Sequence, residues 1–146
     1  MLLLRCSSAK PLTVLVGSAE ALCTPVLLLS PRAIRGKSEM ETAFAFHLAK
    51  RAFEEKSNIS SKPSNEALLF LAREMNFASA LRKIGAKNAR DFVLACGKDM
   101  PIAKVKKELG LTSAKRIELS KMGKKKGNYF EAELAVEEMA LARVRN

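Results

Sequence analysis

Tryptophan is absent from this 146-residue chain, histidine and tyrosine occur once each, and aromatic residues make up only 5% of it. So few rings exclude a sheet that stacks successive bases along its face, and neither ribonucleoprotein motif of the sheet-type RNA readers is present. Common catalytic signatures are missing too: there is no P-loop, no G-x-G-x-x-G, no G-x-S-x-G and no H-E-x-x-H. His47 falls among Ala43, Lys50, Arg51 and Glu54 on the polar flank of a predicted helix, a setting that faces it to solvent. Glu54 and Glu55, like Glu137 and Glu138, are sequence neighbours and diverge on a helix, which is poor geometry for a shared acid-base task. The expectation is a protein that is not an enzyme and needs no cofactor.

Cysteine is sparse and odd in number. Cys6, Cys23 and Cys96 include no C-x-x-C pair, so they read as reduced thiols of a cytoplasmic protein rather than a disulfide framework or a metal site. Long apolar runs are lacking as well. The stretch up to Leu29 is broken by Glu20 and Pro25, which excludes a membrane span. Arg5 and Lys10, followed by LTVLVG and SAEA, imitate parts of a signal peptide, but the alternation in LTVLV fits a strand.

What is abundant is positive charge: 26 Lys and Arg stand against 15 Asp and Glu, a formal net of +11. Such a surplus favours an acidic partner, with nucleic acid first and an anionic protein or membrane surface second. It is polarised along the chain. Residues 98–126 hold ten basic residues against three acids, and residues 72–90 hold five against one, whereas residues 127–146 hold four Glu against two Arg.

The chain length suits a single domain, residues 1–146. Five short stretches read as strands of one modest sheet: LLLR near the start, LTVLV at 12–16, VLLL at 26–29, DFVLAC at 91–96 and RIELS at 116–120. A long helix is predicted from Ser38, which forms a capping-box spacing with Glu41, to about Ser57, burying Ala45, Leu48, Ala49, Ala52 and Phe53 with Phe44 at the edge. A second runs from Pro63 to Ala72. In a third, Phe77, Ala80, Leu81 and Ile84 share one stripe toward a core, Asn76 caps the start and a left-handed Gly85 ends it. Pro101 to Leu109 is a short helix stopped by Gly110. A basic loop, 121–128, then leads to a C-terminal helix from Tyr129 to about Arg145, apolar over much of its circumference.

The basic residues suggest two kinds of nucleic-acid reader. Residues 101–120 imitate a helix-turn-helix, which would make the chain a DNA-binding regulator, although RIEL favours a strand where the recognition helix belongs. The junction before Asn76 offers a notch for phosphate or a single-stranded end: the first turn of a helix opens there beside Arg73, with Arg82, Lys83 and Lys87 following. Phe77 or Met75 offers a surface to a base if either is exposed, although the place of Phe77 in the stripe favours the core for that residue. Lys62, Asn76 and Phe77 complete the candidate set; Lys124, Lys125 and Lys126 form a secondary basic patch, and Val136, Met139, Ala140 and Arg143 are candidates for a protein contact. A protein adaptor whose lysines only steer it toward an acidic surface is a third reading.

Residues 43–87 carry a further pattern. Ala45 and Ala49, Phe53 and Glu54, Asn58 and Ile59, Lys62 and Pro63, Glu66 with Leu68, Leu69 and Leu71, then Ala80, Leu81 and Gly85 follow one another at defined spacings. In this the chain resembles the small kinase-binding subunit of the KEOPS complex, the PRPK-binding protein family; FVLAC and EEMALARV also look like their counterparts there. The family's Gly-Glu-Arg-Gln-Ile type junction is Arg73, Glu74, Met75, Asn76 and Phe77 here, so its glycine and arginine are displaced and its glutamine is shortened to asparagine. The resemblance implies an α+β fold, an antiparallel or mixed sheet covered by helices. It also implies a non-catalytic subunit of the assembly that installs threonylcarbamoyl on certain tRNAs. Such a subunit binds a small kinase-like ATPase and recruits tRNA by its single-stranded CCA end.

Overall fold

The computed structural model describes residues 1–35, 37 and 39–117. In chain order the elements are β1 (Leu2–Ser8), α1 (Leu12–Leu22), β2 (Val26–Leu29), α2 (Pro31–Ile34), α3 (Glu39–Glu54), α4 (Pro63–Ala72), α5 (Phe77–Ile84), β3 (Phe92–Cys96), α6 (Ile102–Leu109) and β4 (Leu111–Arg116). The fold is α+β. Residues 1–34 and 84–117 make one compact unit, and the described residues between them belong to a second. The Ser38 cap, the end of RIELS, the loop 121–128 and the helix from Tyr129, with Lys124–Lys126, Val136, Met139, Ala140 and Arg143, lie outside the described residues.

The first unit is a four-stranded antiparallel sheet in the order β2-β3-β1-β4. Both β1 and β2 run antiparallel to β3, which lies between them, so β1-α1-β2 is a split β-α-β unit. Likewise β3-α6-β4 is split by β1. Two interleaved split units give the ferredoxin-like arrangement, into which α2 to α5 are inserted between β2 and β3. Leu2, Leu4 and Cys6 of β1, Phe92, Leu94 and Cys96 of β3 and Val26 of β2 share a core with Leu15 and Ala19 of α1 and Val105 and Leu109 of α6. The alternate residues Leu3, Leu27, Leu29, Val93 and Ala95 are buried as well, which is why these strands read as continuous apolar runs.

LTVLV is a correction. It opens α1, with Pro11 at the N-cap and a helical stripe of Leu12, Leu15, Ala19 and Leu22, while Val14 and Val16 stand exposed. Helical spacing maintained over eleven residues wins over a five-residue alternation. The last strand is displaced too, to Leu111–Arg116, because Gly110 at φ 64 reverses the chain directly after α6. A strand over 111–116 occupies the place of the second helix that a helix-turn-helix requires.

In the second unit α3 and α4 pack together. Ala45, Ala49 and Ala52, at i, i+4 and i+7, are buried, as expected. Phe46 is buried with them, while Leu48 and Phe53 are only partly so. Helix α4 is buried around nearly its whole circumference, from Ser64 through Ala72 with Asn65 excepted.

Candidate nucleic-acid interface

Pro63 starts α4, and Glu66 in its first turn turns back on the preceding loop, fully buried. Its carboxylate accepts from the Ile59 N–H at 2.9 Å and the Ser60 N–H at 2.7 Å. The loop 58–61 is therefore fixed to the helix, and Ile59 projects outward at 47% exposure. The sequence reading missed this clamp; its one signal was an acid four residues after an exposed lysine, just inside a proline-started helix. Lys62 stands beside this loop, at the opposite end of α4 from the Asn76 junction, about 15 Å away for ten residues of helix.

At its other end α4 terminates on Arg73, which adopts the left-handed conformation at φ 56 and ψ 44. The Arg73 N–H donates to Phe70 O at 3.1 Å and the Glu74 N–H to Leu69 O at 3.0 Å, closing the carbonyls of the last turn. A β-carbon is unfavourable there, and glycine is the residue that suits it. The Arg73 guanidinium turns toward Glu41, with Nη2 3.9 Å from Oε2, and Lys37 Nζ lies 3.8 Å from the same oxygen. Glu41 is 6% exposed, so this carboxylate is held between two cations.

Asn76 caps α5 as expected, its Oδ1 accepting from the Ser79 N–H at 3.0 Å. The inward stripe is narrower than expected. Ala80 and Ile84 are buried, but Phe77 is 39% and Leu81 45% exposed, with Met75 exposed beside them. Phe77 and Leu81 are thus surface residues, because a two-turn helix has room for one narrow contact and their side lies beyond it. Arg82 is also exposed and donates from Nη2 to Ser79 Oγ at 3.3 Å. Lys83 instead returns to the end of α4, donating to Ala72 O at 2.9 Å and lying 3.7 Å from Glu74 Oε1. Gly85 is not left-handed; it enters an isolated bridge with Leu29.

The predicted cations therefore divide by role. Arg82 points outward, Arg73 and Lys83 hold the ends of helices and a buried acid, and Lys87, exposed, belongs to the sheet-bearing unit. That unit carries eleven basic residues against four acids, whereas the described part of the helical unit carries nine against six. Lys104, Lys106 and Lys107 on α6 and Lys115 and Arg116 on β4 are all exposed, and they belong to the basic stretch 98–126 that stands out in the sequence. Among the described residues no group of three or more His, Cys, Asp or Glu is placed to hold a metal ion, and no helix is long and apolar enough to cross a membrane. No protein-family model and no curated protein matches the chain.

Proposed function

We propose that the protein is a non-catalytic accessory subunit of the cytoplasmic assembly that installs threonylcarbamoyl on tRNA, where it binds and activates a small kinase-like ATPase and recruits tRNA through its single-stranded CCA end. The resemblance over residues 43–87 suggests this role. The observation that supports it is the exposed start of α5, where Met75, Asn76 and Phe77 lead into a helix on which Leu81 and Arg82 are exposed as well. An exposed ring and an exposed guanidinium on one short helix suit an unstacked base and a phosphate.

Titration of the purified chain with tRNA, and with tRNA lacking its last three nucleotides, tests the reading. The intact tRNA binds at least tenfold more tightly, and equal affinity overturns end recognition. Phe77→Ala weakens intact tRNA roughly tenfold, the loss of one stacked base. Arg82→Glu lowers the log-log salt slope by about 0.7, the contribution of one phosphate on a single strand.

The adaptor reading draws on a different surface, the outer side of α1, where Val14 and Val16 are each 47% exposed. An adaptor of that kind captures the kinase-like ATPase in a pull-down and binds tRNA no better than duplex DNA.

A further inference from the structure

Two of the three thiols meet inside the sheet unit. Cys23 closes the last turn of α1, its N–H donating to Ala19 O, and Cys96 ends β3; their sulfurs are 3.1 Å apart and share a hydrogen bond. Both are free thiols, 1% and 0% exposed. Cys6, in the same core, directs its sulfur elsewhere, to Leu4 O at 3.7 Å. We propose that Cys23 and Cys96 form an oxidation-sensitive pair that a hydroperoxide converts to a disulfide, joining the end of α1 to the end of β3.

The geometry requires only a small closure. A disulfide brings two sulfurs to about 2.05 Å, so approach by about 1 Å from 3.1 Å suffices. The position of Cys23 also gives it a route to solvent. It directly precedes exposed Thr24, and the last turn of a helix is where local opening is easiest.

The two sulfurs are chemically unequal. The hydrogen bond shared by the two thiols holds Cys23 below its ordinary range, against burial and Glu20 and with help from Lys98. The same hydrogen bond, with burial, holds Cys96 above the ordinary range, and burial pushes Cys6 up to about 12. Cys23, at the helix end beside exposed Thr24, is the thiol that an oxidant reaches first, and it is therefore the attacking thiolate. Its sulfur takes the terminal oxygen of the hydroperoxide as the O–O bond breaks, leaving a sulfenic acid and releasing an alcohol or water. The Cys96 sulfur then attacks Cys23 sulfur, and the departing hydroxide leaves as water with the Cys96 proton. The two sulfurs lose two electrons in all and the peroxide gains them.

The experiment treats the full chain with equimolar hydrogen peroxide under native conditions, monitors its circular dichroism, then unfolds it in an alkylating agent and cleaves it at glutamates. This cleavage places Cys6, Cys23 and Cys96 on three separate peptides. The expected result is an intact mass lower by two hydrogens, a Cys23–Cys96 linked peptide pair, an alkylated Cys6 and an unchanged spectrum. The linked protein melts roughly 10 °C higher until a dithiol reductant is added, because the bridge spans 73 residues. Cys96→Ser leaves a sulfenic acid on Cys23 that dimedone traps, while Cys23→Ser leaves Cys96 unreacted. Recovery of Cys23 and Cys96 both alkylated, a link that includes Cys6, or a link that forms only as the helical signal is lost overturns the proposal. The peptide map of the unsubstituted chain decides it even if either variant fails to fold.

Discussion

Around the sheet the buried side chains are apolar or thiol-bearing apart from Ser8 and Ser30, and the cations of α6 and β4 stand in solvent. Between α3 and the loop before α4, by contrast, two carboxylates are buried, Glu41 against Arg73 and Lys37, and Glu66 against the Ile59 and Ser60 amides. The difference teaches that equal-looking charges in the sequence have unequal work. The lysines of α6 and the basic residues of β4 are exposed to a partner. Much of the charge on the helical unit is committed to holding helix ends and a loop in place.

The largest effect that tests this contrast is expected in the apolar core. Phe92→Ala should cost about 4 kcal/mol in urea unfolding, since a fully buried ring is replaced by a cavity. In the same unit, Lys106→Ala with Lys107→Ala should change stability by less than about 0.5 kcal/mol, as both are exposed. A cost above about 1 kcal/mol for the lysines breaks the comparison. Next comes the clamp: Glu66→Ala leaves two amides without their acceptor and should cost about 3 kcal/mol, with faster amide exchange at Ile59 and Ser60. Unchanged exchange there would show that the loop holds itself.

A smaller effect isolates the backbone at the end of α4. Arg73→Gly and Arg73→Ala both remove the guanidinium, so their difference reports the left-handed conformation alone. The glycine variant should be about 1 kcal/mol the more stable. Equal stabilities would mean that the helix end rearranges.

The smallest effect lies in the sheet unit, where Arg5 donates from Nε and Nη2 to the Asp91 carboxylate at 2.9 Å each. That hydrogen bond holds the Asp91 carboxyl below its ordinary range. The folded chain thus binds this proton less tightly than the unfolded chain. The pair stabilises fully above the ordinary carboxylate range, and its contribution disappears as pH falls through the depressed value. Both groups are about half exposed, so a double-mutant cycle with Arg5→Gln and Asp91→Asn should give about 0.5 kcal/mol at pH 7 and none near pH 2. A coupling that persists at the lower pH would require another source.

Much of the fold was legible because its signals are local and agree with one another. VLLL and FVLAC are doubly buried strands flanked by breakers, and Pro63, Asn76 and Gly110 mark helix ends that the structure keeps. Helix α1 was misread because Val14 and Val16 are β-formers on an exposed side, where tertiary packing of Leu15 and Ala19 sets the conformation. β4 was obscure because its first residue alone is buried and LTSAKR carries little pattern. At the candidate site, spacing located the Asn76 cap but not the direction of the side chains around it. Only coordinates show that Arg73 reaches back to α3 and that Lys83 folds onto a carbonyl. No periodicity encodes such choices.

The bridge between Leu29 and Gly85 has a consequence for how the insertion is tolerated. With the Ser30 N–H bonded to Ile84 O and the Ala86 N–H to Leu28 O, the returning chain lies along the outer rim of β2 like a hem. A strand rim left bare invites pairing with another molecule. Shortening the excursion between β2 and β3 is therefore constrained less by the helices it removes than by the need to keep that hem stitched, and a chain trimmed past it should polymerise through β2.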